Sequence, residues 1–206
     1  MASQLFLTSE QEHAVSLALT KHNEFITGKA GSGKSSVLER FREIAGRGVV
    51  FAAPTGVAAV NIGGTTLHRL FDLPVGYKPG LPVDLPPPSD PATCELIESI
   101  QTLVIDEIGM VSADTFAAVE HILRDIPLST CGAYLPFGGR QICCVGDFGQ
   151  TSVCADEERK QYLEEMFGGP YPFHTKAWQA AKFTPVALQV SQRQQDAVWE
   201  EILDGI

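Results

Sequence analysis

Eight consecutive residues, Gly28-Lys29-Ala30-Gly31-Ser32-Gly33-Lys34-Ser35, satisfy the pattern G-x-x-x-x-G-K-[ST] in full. Each residue type there suits a polyphosphate. Glycines let the backbone turn so that successive N–H groups face one anion, and a helix opening at Lys34 adds its positive dipole end. Lys34 supplies a cation to β- and γ-phosphates, and the Ser35 hydroxyl suits Mg²⁺. Ala30, Ser32 and Ser36 complete the expected cradle. A glycine-rich turn alone is only a flexible turn; its place after a short apolar strand and before a helix carries the phosphate reading. A second signal is Asp106-Glu107, directly after the apolar run Leu103-Val104-Ile105. At a strand end such a pair is often merely solvated. Beside a phosphate loop, Asp106 is expected to hold Mg²⁺, directly or through water, and Glu107 to orient and deprotonate an attacking water. A Glu beside the Asp favours hydrolysis over transfer to a second substrate.

The elements that position these residues are legible from the apolar pattern. Ser9-Glu10-Gln11-Glu12 reads as a capping box opening a helix with Ala14, Val15, Leu17 and Ala18 on its apolar face. Short apolar strands are expected at Glu24–Thr27, Val49–Ala53, Thr102–Ile105, Gln141–Val145 and Val186–Val190. Helices are expected over Lys34–Ile44, after Pro54-Thr55-Gly56, from Ser112 to Arg124, and from about Gln195. Buried-type strands alternating with helices predict an α/β fold, a mostly parallel sheet with helices on both faces. Seven of the 13 prolines lie between Phe71 and Thr93, which excludes a regular helix or central strand there. This insert, residues 72–93, reads either as a surface loop or as an element that touches a ligand.

Length and composition narrow the classes. The 206 residues, 44% hydrophobic, suffice for one domain with a sizeable core and a small insert, and are too apolar for a disordered chain. No apolar run approaches the roughly 18 residues of a membrane span, so no membrane partner is expected. Five cysteines (Cys94, Cys131, Cys143, Cys144, Cys154) form no CxxC pair, which argues against a disulfide framework or zinc site and for a reducing, intracellular compartment. The net charge of −10 speaks against a nucleic-acid partner, but it is uneven. Residues 1–75 carry 7 basic against 6 acidic residues, while 76–149 carry 3 against 10. A polyanion would meet the N-terminal third.

In this order the motifs resemble the first RecA-like P-loop domain of superfamily 1 DNA helicases, specifically the Pif-type (petite integration frequency) family that moves 5′→3′. Leu7-Thr8-Ser9-Glu10-Gln11 resembles that family's glutamine motif, which implies that Gln11 reads the adenine edge. The string from Ala53 to Phe71, APTGVAAVNIGGTTLHRLF, is similar to motif Ia and the adjoining DNA-contact segment, and Val104–Val111 to motif II. Pro136–Gln150 resembles the motif III region and Ser191–Asp196 motif IV. The resemblance implies that Gln150 senses the γ-phosphate and the attacking water, and that Arg193 reaches the γ-phosphate as a planar, permanent cation. Thr55, Gly56 and Val57 would offer helix-start N–H groups to a DNA phosphate, and Thr66 and His68 would touch the single strand. By itself His68 reads as an ordinary partly buried histidine. Phe71 is open between base stacking and core, while Phe148 and Trp178 read as core. The proline insert matches the family's small wedge element in position.

The resemblance therefore implies an ATP-dependent 5′→3′ DNA helicase, of which residues 1–206 are the first RecA-like ATPase domain, using Mg²⁺ and ATP on single-stranded DNA and duplex junctions, as a monomer. DNA repair, recombination and telomere maintenance are family associations. Gly149, Thr151 and Ser152 depart from the family's hydrophobic residue and Pro-Pro pair, and Gly109 from its usual serine. Ile206 follows motif IV closely, so residues 191–206 read as the start of a link to a second RecA-like domain. The chain alone is then expected to bind nucleotide weakly and unwind little. The alternative is a nucleotide-binding interaction module without motor activity. The compartment would be the cytoplasm of a bacterium, or the nucleus or an organelle of a eukaryote.

Overall fold

The computed structural model describes residues 7–74, 88–129, 132–150, 152–153 and 155–189. Its centre is built from strands whose residues are apolar on both sides. β4 (Thr102–Ile105) and β5 (Gln141–Val145) are buried at every position. Such runs suit the middle of a parallel sheet covered on both faces. Around them lie β1 (Glu24–Gly28), β2 (Val49–Ala53), β3 (Thr65–Thr66) and β6 (Thr184–Leu188), in the order β3-β2-β4-β5-β1-β6. Every ladder is parallel. The α/β fold expected from the sequence is thus observed.

Alternate residues of each strand feed two cores. Val104, Cys143, Val145 and Ile26 face α1 (Ser9–Ala18), α2 (Lys34–Ile44) and α3 (Gly56–Asn61), where Val15, Leu38 and Phe41 meet them. Leu103, Ile105, Ile142 and Cys144 face the other way. There they meet α4 (Leu67–Leu70), α5 (Pro91–Ser99) and α6 (Ala113–Asp125) through Leu67, Ile97, Phe116 and Ile122. Phe71 is 1% exposed within this second core, so the choice left open for it resolves to core. Phe148 and Trp178 pack against the same core, Trp178 from α8 (Lys176–Ala181). α7 (Glu157–Phe167) adds a small cluster through Tyr162 and Leu163 on Ala113. No helix among the described residues is long and apolar enough to cross a membrane.

Several boundaries differ from the sequence reading for physical reasons. The capping box of α1 is one residue earlier: Thr8 is the N-cap, accepting from Gln11 N, while the Gln11 side chain accepts from Thr8 N. β6 begins at Thr184 and so contains Pro185, because it is an edge strand where a missing N–H costs no ladder bond. The proline-rich stretch does include a helix at its end. α5 starts at Pro91, where a proline lacks nothing the first turn needs, and Asp90 caps it by accepting from Thr93 N at 2.9 Å. Residues 75–87 of the insert, the helix expected from Gln195 and the link 191–206 lie outside the described residues. α7 and α8 had no separate sequence signal.

At the opposite edge from the strand ends, one cation ties three elements. Arg140 is 3% exposed and donates to Ile100 O, Leu123 O and Ile97 O at 2.9–3.0 Å, joining the ends of α5 and α6 to the start of β5. Burial pulls its pKa down from the usual arginine range, so the three carbonyls carry its solvation. Arg140→Met should remove all three bonds, with Ile97 O keeping only its bond from Ile100 N, and lower unfolding stability by about 3 kcal/mol, near 1 kcal/mol per lost bond. Urea unfolding measures this, and a loss below roughly 1 kcal/mol would show that water replaces the guanidinium.

Candidate active site

The carboxyl ends of β4, β5 and β1 are neighbours, and the residues with chemical potential follow each of them. β1 ends at Gly28 and enters the glycine-rich turn. A Cβ on Gly28 would lie 2.5 Å from Ser32 Oγ and 2.7 Å from the main-chain oxygen of Leu188, so the turn curls against β6. Gly31 and Gly33 take φ of 81° and 85°, left-handed values that spare them a steric penalty. Gly33 is also the N-cap of α2 and has no side chain to close the helix start. Lys34 lies back over the turn, its Nζ donating to Gly28 O at 2.5 Å and Lys29 O at 3.2 Å.

From β4 comes Asp106, whose Oδ1 accepts from Glu107 N at 2.9 Å. Burial pushes its carboxyl up to about 6; the neighbouring Glu107 adds to this, and the bond from Glu107 N and the Lys34 charge offset it in part. Glu107 sits at φ 51°, ψ 44°, a left-handed conformation for a residue with a full side chain. Such backbones are held at a cost and recur at functional sites. From β5 comes Asp147, which accepts from Gly149 N at 2.8 Å and from Gln150 Nε2 at 2.6 Å, and so fixes the Gln150 amide.

These pieces converge. Ala30, Gly31, Gly33, Lys34, Ser35, Glu107, Asp147 and Gln150 line one cavity of about 370 Å³. A second cavity, of about 550 Å³, shares Ser35 and Glu107 with it and adds Asp106. Ser35 and Asp106 thus face common space, as a shared divalent ion requires. The described residues hold no cluster of three or more His, Cys, Asp or Glu side chains suited to a metal. A hydroxyl and one desolvated carboxylate are what Mg²⁺ accepts when substrate phosphates and water fill its other positions. The residues fit that ion.

Gln11, expected at the adenine edge, lies against the glycine turn. It is 1% exposed, its Oε1 is taken up in the α1 cap, and its Nε2 donates to Ser32 O at 3.1 Å, bracing the turn from behind. Asp147 was not anticipated as a site residue. Its signal was present, an acid separated by one residue from an apolar strand, close to the pattern at Asp106. Ser36 follows Ser35 within α2. Arg193 lies outside the described residues.

The residues expected to contact DNA lie at or after the ends of β2 and β3, on the other side of β4 from the glycine turn. Thr55 caps α3 by accepting from Ala58 N, leaving the Gly56 and Val57 N–H groups ahead of the helix's own ladder, and Val57 is 76% exposed. Thr66 pairs with Ala53 and caps α4 by accepting from Arg69 N. His68 is half-buried, and burial, together with the Arg159 charge, lowers its pKa, with Asp114 opposing. It is therefore neutral near pH 7.

Comparison with known proteins identifies the family. The profile of the PIF1-like helicase family matches residues 6–202. The chain belongs to the PIF1-like helicase family. It is 33% identical over 202 residues to the ATP-dependent DNA helicase PIF1 of Danio rerio, and 34% identical over 206 residues to that of Homo sapiens. Among solved structures, the Pif1 helicase from Bacteroides in complex with ADP-AlF3 and ssDNA superimposes with a TM-score of 0.83 at 33% identity, covering 98% of this chain. Pif1 from Candida albicans gives 0.71 at 26% identity. The chain spans 29% of the length of these two curated relatives and 46% of the Bacteroides chain.

The buried charge at Asp106 has a measurable consequence. An acid whose pKa rises on folding, here from 3.8 to about 6, costs no stability at pH below the unfolded value; the cost builds as pH rises from there through the folded value and is complete above it. Asp106→Asn keeps the acceptor for Glu107 N and removes the charge. The variant should melt higher than the native chain at pH 8, with the gap closing toward pH 4. Equal melting temperatures at pH 8 would show that the carboxylate is adequately solvated.

Proposed function

We propose that this chain is the N-terminal ATPase half of an ATP-dependent 5′→3′ DNA helicase, coupling MgATP hydrolysis to movement on single-stranded DNA and to duplex unwinding. The observation that carries the reading is the convergence of Lys34, Ser35, Glu107 and Gln150 on one cavity from the ends of three adjacent strands. The named relatives are ATP-dependent DNA helicases, and a Bacteroides relative was solved with ADP-AlF3 and ssDNA.

In this mechanism Lys34 exchanges its two carbonyl partners for β- and γ-phosphate oxygens. The N–H groups of the glycine turn and the start of α2 face the same charge. Ser35 and Asp106 hold Mg²⁺, which when bound neutralises charge on the phosphate oxygens. Glu107, aimed by its left-handed backbone, orients a water in line with the γ-phosphate and takes its proton. Gln150, fixed by Asp147, contacts the γ-phosphate and that water. Arg193 is the second cation on the γ-phosphate. Gln11 serves the adenine side of the cradle and acts on the turn through Ser32. Thr55, Gly56, Val57, Thr66 and His68 form the single-strand surface, with main-chain N–H groups meeting phosphates whatever the base sequence. Duplex junctions are the second nucleic-acid partner, in line with a relative solved at forked duplex DNA with two coordinating Pif1 helicases. We place the protein inside the cell, acting as a monomer.

A nucleotide-binding module without motor activity is the competing reading, favoured by the net charge of −10. Stimulation of ATP turnover by single-stranded DNA at low salt separates the two; the module predicts none. Within the motor reading, Lys34→Ala should lower phosphate release by about 10²-fold or more, and a loss under roughly tenfold would remove Lys34 from the reaction. His68→Ala should weaken single-strand binding while nucleotide affinity stays level. Because His68 is neutral, the slope of binding against salt should not change. A reduced slope would show that it meets phosphate as a cation.

A further inference from the structure

The second cavity runs between α2 and α3, from Ser35 and Asp106 at one end toward Arg42, Asn61 and Ile62 at the other. A side chain of the last turn of α2 reaches across it. Arg42 Nη1 donates to Ile62 O, at the C-cap of α3, at 2.7 Å. The next residue, Gly63, has φ 59°, and a Cβ there would lie 2.0 Å from Arg42 Nη1. The guanidinium therefore rests directly on the glycine backbone. Gly64 is pinned from the opposite side: its N donates to Ala59 O at 2.8 Å, and a Cβ on it would come 2.2 Å from Phe51 O of β2. Gly63-Gly64 is thus wedged between Arg42 and β2. It leads without interruption into β3, Thr66 and His68.

We infer that Arg42 is a positioning residue that couples the phosphate-loop helix to the single-strand surface, by carrying displacements of α2 onto the Gly63-Gly64 turn. An α-helix of eleven residues is a stiff rod of about 16 Å, so a shift at its phosphate-facing end arrives at its last turn nearly undiminished. Over most of the groove α2 and α3 have space between them, and the planar guanidinium is the polar link across it. A cation on a helix's terminal carbonyl is also favourable in its own right, which keeps the link closed. The turn it grips needs a positive φ and has no spare volume, so it moves as a unit with Thr65–His68 rather than absorbing the shift locally. Nothing in the chemistry of hydrolysis requires Arg42; its effect is on the neighbouring surface alone.

This inference rests on the nucleotide reading of the cradle, and the test keeps the two apart. Amide hydrogen exchange of the 206-residue chain is followed with and without Mg²⁺ and adenosine 5′-(β,γ-imido)triphosphate. In the native chain, protection is expected both at residues 28–36 and at 62–68. In Arg42→Met it should remain at 28–36 and be lost at 62–68, and Arg42→Lys, which keeps one donor, should restore it in part. Equal protection at 62–68 in native and Arg42→Met chains would overturn the coupling, as would native protection confined to 28–36. No protection at 28–36 in the native chain would remove the nucleotide reading and the coupling with it. Loss at both segments in Arg42→Met would assign Arg42 to nucleotide binding and also overturn the coupling.

Discussion

Parallel pairing is the constraint on which everything else depends. In a parallel sheet every strand delivers its carboxyl end to the same edge, so each loop that leaves a strand there shares one surface. The order β3-β2-β4-β5-β1-β6 then decides which loops become neighbours. Strands first, fourth and fifth in the chain lie side by side, and their ends bring a glycine-rich anion cradle, an acidic pair and an aspartate-held amide within one cavity. Strands second and third form the flank where Thr55 and Thr66 cap short helices. β4 is the member of the first group that pairs with the flank, and the acidic pair at its end borders both.

The same edge carries two unfavourable local choices. Asp106 is a carboxyl whose charge burial opposes, and Glu107 holds a left-handed backbone. Neither helps folding. Both are sustained by a sheet whose central strands are fully buried, and by close contacts that leave the loops no alternative. A Cβ on Gly146, at the end of β5, would meet Ile108 N at 2.9 Å, so β5 presses on the residue that follows Glu107. The glycine turn is hemmed in likewise, by Gln11 through Ser32 and by β6 through Leu188. α1 is joined to β6 directly, with Glu10 accepting from Gln189 N at 2.9 Å. Local strain at a site is tolerable where the surrounding packing leaves it only one conformation.

Electrostatics gives the two regions different characters. Around the cradle, charge is only partly compensated: a lysine turned onto carbonyls, and a desolvated acid that its charge stabilises in part. Around His68 the buried Asp114 accepts from Arg159 at 3.0 Å, and the histidine beside this pair stays neutral. The surface proposed for the single strand offers N–H groups and hydroxyls with little net positive charge, in a chain whose N-terminal third is nearly balanced while the remainder is acidic. Attraction at such a surface is short-range, so contact geometry matters more than steering.

The sequence by itself determined the chemistry and the elements that carry it. The phosphate-loop pattern, the acids after an apolar strand and the strands at Val49–Ala53, Thr102–Ile105 and Gln141–Val145 follow from local rules: residue type, periodicity and what a strand end exposes. Where local rules were ambiguous the reading slipped, as at Thr8, Pro91 and Pro185, because a cap, a first turn and an edge position each depend on neighbours in space. Gln11 shows this most plainly: the family resemblance implies an amide beside the adenine, and only the folded chain shows that amide bonded into a helix cap and onto the main chain of Ser32. Tertiary structure alone decided that Asp147 holds Gln150, that Phe71 is core, and that Arg42 reaches the turn after α3. Strand order and cross-sheet contacts join residues tens of positions apart, and no periodicity along a chain encodes which distant segments will share an edge.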